Sequence, residues 1–168
     1  MPLTAQRIAY AADLPLCTLH MAELLVVASL RLWLCEAAYP APGWQNGLRA
    51  AGLDAEAARA FGSLAEIVTV ASIGPVDLRG LHCPRLGRSE ARLLEILHRQ
   101  QRGDRRAAEA ALQAFLAPTA ARLALGLSLD VAEALAAQGL LLGQAPAETA
   151  MRQAALSAHA NRGLRLVH

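Results

Sequence analysis

Alanine- and leucine-rich runs, broken by one glycine- and proline-containing stretch near 73–87, constrain the fold of this chain more than any other feature. Alanine and leucine have high helix propensities, and in these runs apolar residues recur at helical spacing. Aromatic residues make up only 4% of the 168 residues, which disfavours a β-sandwich. A chain of this length can bury one core. The sequence therefore predicts a single all-α domain, a compact bundle of about six to seven helices.

Prolines, glycines and capping residues divide the chain into segments. Asp54 and Asp104 each precede an alanine-rich run and are predicted to be helix N-caps. Glycines and prolines end the runs, because neither continues a helix well. The resulting expectation is front helices at about 16–71, a long irregular loop at about 72–88, back helices at about 89–142 and a peripheral C-terminal helix at about 146–161.

The first helix, predicted at about 16–39, is the most apolar segment. It carries His20, Glu23, Arg31 and Glu36, which a membrane span would place in hydrocarbon. The N-terminus has no continuous apolar run of the kind found in signal peptides. We therefore expect no membrane span, and we predict a buried or partner-covered helix in a cytoplasmic protein.

Three widely spaced cysteines indicate reduced thiols rather than a disulfide framework. Cys17 and Cys35 lie on the apolar stripe of the predicted first helix. A cysteine in such a position usually behaves as a small hydrophobic residue. We therefore predict that both are buried.

The loop contains the triplet His82-Cys83-Pro84. An imidazole next to a thiol can bind zinc, iron or haem, and the Cys83-Pro84 dipeptide resembles the short haem-regulatory motif. A structural zinc site needs four ligands, and Cys17 and His20 are the candidates for the other two. The alternative is a buried Cys83 beside a His82 that bonds to backbone or lies in solvent.

The arginine cluster at 85–106 follows this triplet. The chain has no lysine, which excludes a Schiff-base or phosphate-loop lysine. Arg85, Arg88 and Arg92 lie near a predicted helix N-terminus, where the helix dipole favours an anion. They are predicted to bind a phosphate, a nucleotide or an acidic partner surface. The alternative is that Arg92 and Arg99 pair with nearby acids on a solvated face.

The segment after the loop resembles part of a known repeat. Gly103-Asp104, Ala108, Leu112 and Pro118 are similar to the second half of a tetratricopeptide repeat. The Trp, Leu-Gly and Tyr of the repeat's first helix are missing, and the chain has no second copy. The expectation is therefore one helical hairpin at Ser89 to Leu116, without a solenoid.

Three functional hypotheses follow, and no catalytic motif supports a fourth. The first is a small cytoplasmic helical interaction or regulatory module that self-associates as a homo-oligomer or binds another protein, because the apolar content exceeds what a small monomer readily hides. The second is a metal- or haem-binding protein that uses His82 and Cys83. The third is anion or nucleic-acid binding by the arginine cluster at 85–106, although a net charge of +2 disfavours duplex DNA.

Overall fold

The computed structural model describes residues 10–38 and 43–143, and these residues form an all-α fold with no β-strand. The prediction of an all-α protein is confirmed. Within these two ranges, a 3₁₀ turn at Leu16–Thr18 precedes six α-helices, which are α1 (Met21–Ala38), α2 (Trp44–Ala50), α3 (Ala55–Val70), α4 (Arg88–Gln101), α5 (Arg105–Gln113) and α6 (Pro118–Ala137). The predicted helix at 146–161 lies outside the described residues.

The core is formed around α6, which packs against α3, α4 and α5. The inner face of α4 is made of Leu93, Leu94, Ile96 and Leu97, each at most 1% exposed, as their helical spacing predicts. Among the front helices, α1 packs against α2, and α2 against α3. Trp44 and Phe61 meet between them with their ring centroids 6.0 Å apart. Both aromatic residues are buried in the core.

The helix ends follow the predicted local signals. The Asp54 and Asp104 carboxylates accept hydrogen bonds from the backbone N–H three residues further on, at 2.8 Å and 3.1 Å. Both are therefore N-caps. Gly103 has a φ of 72°, which suits a glycine at the turn between α4 and α5. The expected hairpin is present as α4 and α5.

Removing one of these caps is expected to have a measurable effect. Asp54→Ala should lower the free energy of unfolding by about 1 kcal/mol, because the Ala57 N–H loses its acceptor. Urea unfolding followed by circular dichroism measures the change. Asp130→Ala is the matched control, since Asp130 is also an exposed aspartate but lies within α6. Equal losses in the two variants would contradict a capping role.

The first helix differs from its predicted range. It begins at Met21 rather than near residue 16, because Leu14 and Leu16 bond to the backbone of Leu86 and Pro84. The His20 N–H donates to Glu23 at 3.1 Å, which closes the first turn of α1.

The predicted burial of Cys17 and Cys35 is wrong, since both side chains are exposed. Cys17 lies in the 3₁₀ turn and so is not on the stripe of α1. Cys35 is one turn beyond the buried Arg31, near the end of α1. In the described part of the chain, no helix is both long enough and apolar enough to cross a membrane.

Candidate functional site

The segment between α3 and α4 is organised by one buried arginine of α1. Arg31 is 2% exposed and forms an ion pair with Glu90 of α4, at 2.8 Å from Nε to Oε1. Its Nη2 donates to the second Glu90 oxygen at 2.8 Å. The remaining donors reach three loop carbonyls, those of Gly80, Cys83 and Arg85, at 3.2, 2.6 and 2.8 Å. All five N–H groups of the guanidinium thus have acceptors.

Glu90 connects the same arginine to the start of α4. Its carboxylate also accepts from the backbone N–H of Gly87 at 2.7 Å and of Arg79 at 3.1 Å. Residues 79–87 are therefore held by the buried pair from one side. On the other side, the Asp13 N–H donates to the Leu86 carbonyl at 2.9 Å. The result is a connection with a defined shape next to the N-terminus of α4.

The N-terminus of α4 is occupied by a carboxylate of the chain itself, that of Asp77. Asp77 accepts from the backbone N–H of Arg88 through its carboxylate at 2.9 Å, and from that of Ser89 through its carbonyl at 3.2 Å. The Arg88 N–H, and then the Arg79 side chain, lower the pKa of Asp77. An external anion would thus have to bind the arginine side chains rather than these amides.

The structure brings together two of the three arginines predicted to form a site. Arg88 and Arg92 line a cleft of about 190 Å³, which is here called the turn cleft. Its other lining residues are Ile73, Gly74, Pro75, Ala114 and Phe115. The Arg92 guanidinium lies 5.3 Å from the centroid of the Phe115 ring, a cation–π contact. Arg85 instead donates to the carbonyl of Asp13 at 3.0 Å and does not line the cleft.

The predicted metal ligands lie on neighbouring segments. The Leu16 N–H donates to the Pro84 carbonyl at 2.9 Å, so the turn with Cys17 is adjacent to the loop with Cys83. His82 is exposed and Cys83 half-buried. Within residues 10–38 and 43–143, no three His, Cys, Asp or Glu side chains are arranged to hold a metal ion. Metal or haem binding through His82, Cys83, Cys17 and His20 stays a prediction.

A second cleft combines Arg92 and Arg99 of the arginine cluster with residues that the sequence patterns did not single out, among them Tyr10. This cleft, here called the tyrosine cleft, has a volume of about 290 Å³. It is lined by Tyr10, Ala91, Arg92, Glu95, Arg99, Ala111 and Ala114. The Tyr10 hydroxyl donates to the Glu23 carboxylate at 3.0 Å, and Glu23 is 1% exposed. Burial, followed by the Glu23 charge, raises the pKa of Tyr10. Tyr10 is therefore a neutral hydrogen-bond donor to a buried carboxylate.

The described residues form a small helical bundle in which α4 is buried on its inner face and carries Arg88 and Arg92 on its exposed face. Comparison with known proteins finds no match among protein families, curated proteins or solved structures.

Proposed function

We propose that this protein is a cytoplasmic interaction module whose turn cleft binds an acidic, partly apolar segment of a partner protein. One observation carries the proposal. Arg88 and Arg92 line the turn cleft together with the apolar Ile73, and neither forms an ion pair within the described part of the chain. Three free cysteines suit the reducing conditions of the cytoplasm.

The charges of the turn cleft favour a carboxylate ligand. Arg88 and Arg92 are one helical turn apart, so their like charges face the same side of α4 and repel each other. An acidic group placed between them would relieve this repulsion. Each guanidinium also offers a planar fork of donors that matches a carboxylate. An aspartate or glutamate of a partner would supply it.

The apolar wall of the turn cleft favours an apolar side chain next to that carboxylate. Ile73 is 64% exposed, although it is a large apolar residue. Its backbone N–H donates to the Phe115 carbonyl at 3.0 Å, which fixes the wall of the cleft. Burying Ile73 under a partner residue removes apolar surface from water, and a preformed wall reduces the ordering cost of binding. Acidic and apolar groups in one segment would match both parts of the cleft.

A protein segment fits this surface better than a nucleic acid does. Single-stranded nucleic acids bind along basic grooves with aromatic rings exposed for base stacking. Here the Phe115 ring is 3% exposed and lies under Arg92. The two arginines also give a short basic surface in a chain of net charge +2. A second copy of this chain is the other candidate partner, and the experiment below separates these cases.

A peptide-binding experiment tests the proposal. The probe is a fluorescein-labelled peptide that alternates glutamate with leucine, followed by fluorescence anisotropy with the full chain. Arg88→Gln with Arg92→Gln should weaken binding roughly tenfold or more, which corresponds to the loss of about 1.4 kcal/mol. Arg105→Gln with Arg106→Gln is the matched control, because these two exposed arginines of α5 do not line the turn cleft. The control should bind like the unsubstituted chain.

Three results would contradict the proposal. The first is equal binding of a peptide with glutamine in place of glutamate. The second is tighter, salt-dependent binding of a single-stranded oligonucleotide, which would assign the arginines to nucleic acid. The third is a dimer in sedimentation that the Arg88 and Arg92 substitutions dissociate, which would make a second copy the partner.

A further inference from the structure

The tyrosine cleft presents a combination of groups that differs from the turn cleft. Arg92 and Arg99 contribute positive charge, Glu95 contributes a carboxylate, and Tyr10 with three alanines forms apolar walls. Its volume of about 290 Å³ is near the lower end of the range for small-molecule sites. The cleft therefore suits a compact ligand with both charged and apolar parts.

One oxygen of Glu95 has no partner among residues 10–38 and 43–143. Oε1 accepts from Arg99 Nε at 2.7 Å, whereas Oε2 is buried and receives no hydrogen bond from these residues. A buried carboxylate oxygen normally has a donor. Neighbouring atoms cover Oε2, but the terminal torsion of a glutamate side chain is broad. Rotation about this torsion moves both oxygens, so turning Oε2 into the cleft also displaces Oε1 from Arg99 Nε, and a cationic ligand must compensate for that bond.

The Tyr10 side chain in the tyrosine cleft is held in place. The Tyr10 hydroxyl donates to Glu23, and the Tyr10 ring meets the His98 ring edge-on with centroids 6.5 Å apart. Tyr10 thus keeps its hydroxyl on Glu23 and contributes ring surface to the cleft. Its fixed ring lowers the cost of ordering the site when a ligand binds.

We propose that the tyrosine cleft binds a small zwitterion, an amino acid or a compound like it. Its ammonium group donates to Glu95 Oε2, and its carboxylate pairs with the guanidinium of Arg92. Arg92 and Glu95 are three residues apart on α4, so they occupy neighbouring positions on one face. The apolar part of the ligand lies against Tyr10 and the alanines. A simple anion would leave Glu95 Oε2 without a donor, and a simple amine would leave the Arg92 guanidinium, which otherwise contacts the Phe115 ring, without a carboxylate.

A matched ligand series tests this proposal on the full chain. The probes are L-leucine, 4-methylpentanoate, which lacks the amine, and 3-methylbutylamine, which lacks the carboxylate. Binding is followed by ¹H–¹⁵N NMR titration. L-leucine should bind saturably, with shifts centred on α4 and α5, and each partial ligand should bind roughly tenfold more weakly or worse. Equal binding of 4-methylpentanoate and L-leucine would overturn the role of Glu95, and no saturable binding of L-leucine would overturn the site.

Variants assign the two charged ends of the ligand. Glu95→Gln should weaken L-leucine binding roughly tenfold while leaving the weak binding of 4-methylpentanoate unchanged or stronger. Glu133→Gln on α6 is the control, because Glu133 is exposed and does not line the tyrosine cleft. The NMR spectrum of each variant also reports whether its fold is intact. A folded Glu95→Gln protein that binds L-leucine with unchanged affinity would refute the proposal.

Discussion

Replacing Arg31 with methionine is expected to lower the free energy of unfolding by about 3–5 kcal/mol. The substitution leaves the Glu90 carboxylate, whose side chain is 0% exposed, without its counter-charge. It also removes the donors from three carbonyls between α3 and α4. Methionine keeps an unbranched side chain, so loss of packing adds less than it would with alanine. Urea unfolding at equilibrium measures the effect as a shift of the midpoint at constant slope.

Arg122→Met is the matched control for this change. Arg122 is exposed on α6, and among the described residues its side chain bonds only to the Thr119 hydroxyl, so its loss should change the free energy of unfolding by no more than about 0.5 kcal/mol. Glu90→Gln should be similarly destabilising, because it leaves a buried cation. The double variant Arg31→Met with Glu90→Gln should lower the free energy of unfolding by less than the sum of the two single effects, since both substitutions remove the same interaction. If Arg31→Met lowered the free energy of unfolding by less than about 1 kcal/mol, the inference that the Arg31–Glu90 pair stabilises the fold would be wrong.

Local signals made most of the fold predictable. An aspartate before an alanine run specifies a helix start within a few residues, as Asp54 and Asp104 do. A glycine in the left-handed region ends α4, and Gly103 adopts that conformation. The 3.6-residue period placed the apolar residues of α4 on its buried face. Each of these inferences depends on residues close together in the chain.

The Arg31–Glu90 pair was not predicted, because 59 residues separate its members. An arginine on the apolar stripe of a helix is ambiguous in a single sequence. It can reach solvent with its long side chain or find a buried partner. Two local signals bear on the choice. Arg31 follows the buried Val27 by one turn, and Glu90 stands three residues after Gly87, at the position of a capping glutamate.

The candidate site was only partly predictable for the same reason. Helical spacing placed Arg88 and Arg92 on one face. The walls of their cleft, Ile73 and Phe115, meet through a tertiary hydrogen bond that no local pattern indicates. Arg85 is close to these arginines in the sequence, which led to its prediction as part of the same site. Backbone hydrogen bonds join residues 13–16 to residues 84–86, and the Arg85 side chain therefore donates to the Asp13 carbonyl instead of lining the cleft.

The contact between the loop and α4 leads to the second large prediction. Gly87→Ala should lower the free energy of unfolding by about 3 kcal/mol, in the upper range for overpacked positions. Gly87 has a φ of −76°, which alanine adopts without strain, so the effect comes from space. A Cβ atom at this position would lie 2.3 Å from the carbonyl oxygen of Asp77, which belongs to the backbone. Chemical denaturation measures the loss.

Gly80→Ala is the matched control, because it makes the same change in the same loop. A Cβ atom at Gly80 meets nothing within 4 Å, and the residue is exposed. This variant should be neutral or slightly stabilising, since alanine restricts the unfolded chain. To relieve the clash at Gly87, Asp77 must move away from α4, and the Arg88 and Ser89 N–H groups then lose their acceptors. If Gly87→Ala and Gly80→Ala had the same free energy of unfolding, the loop could move away from α4 without loss of stability. That result would contradict a stabilising contact between Asp77 and the start of α4.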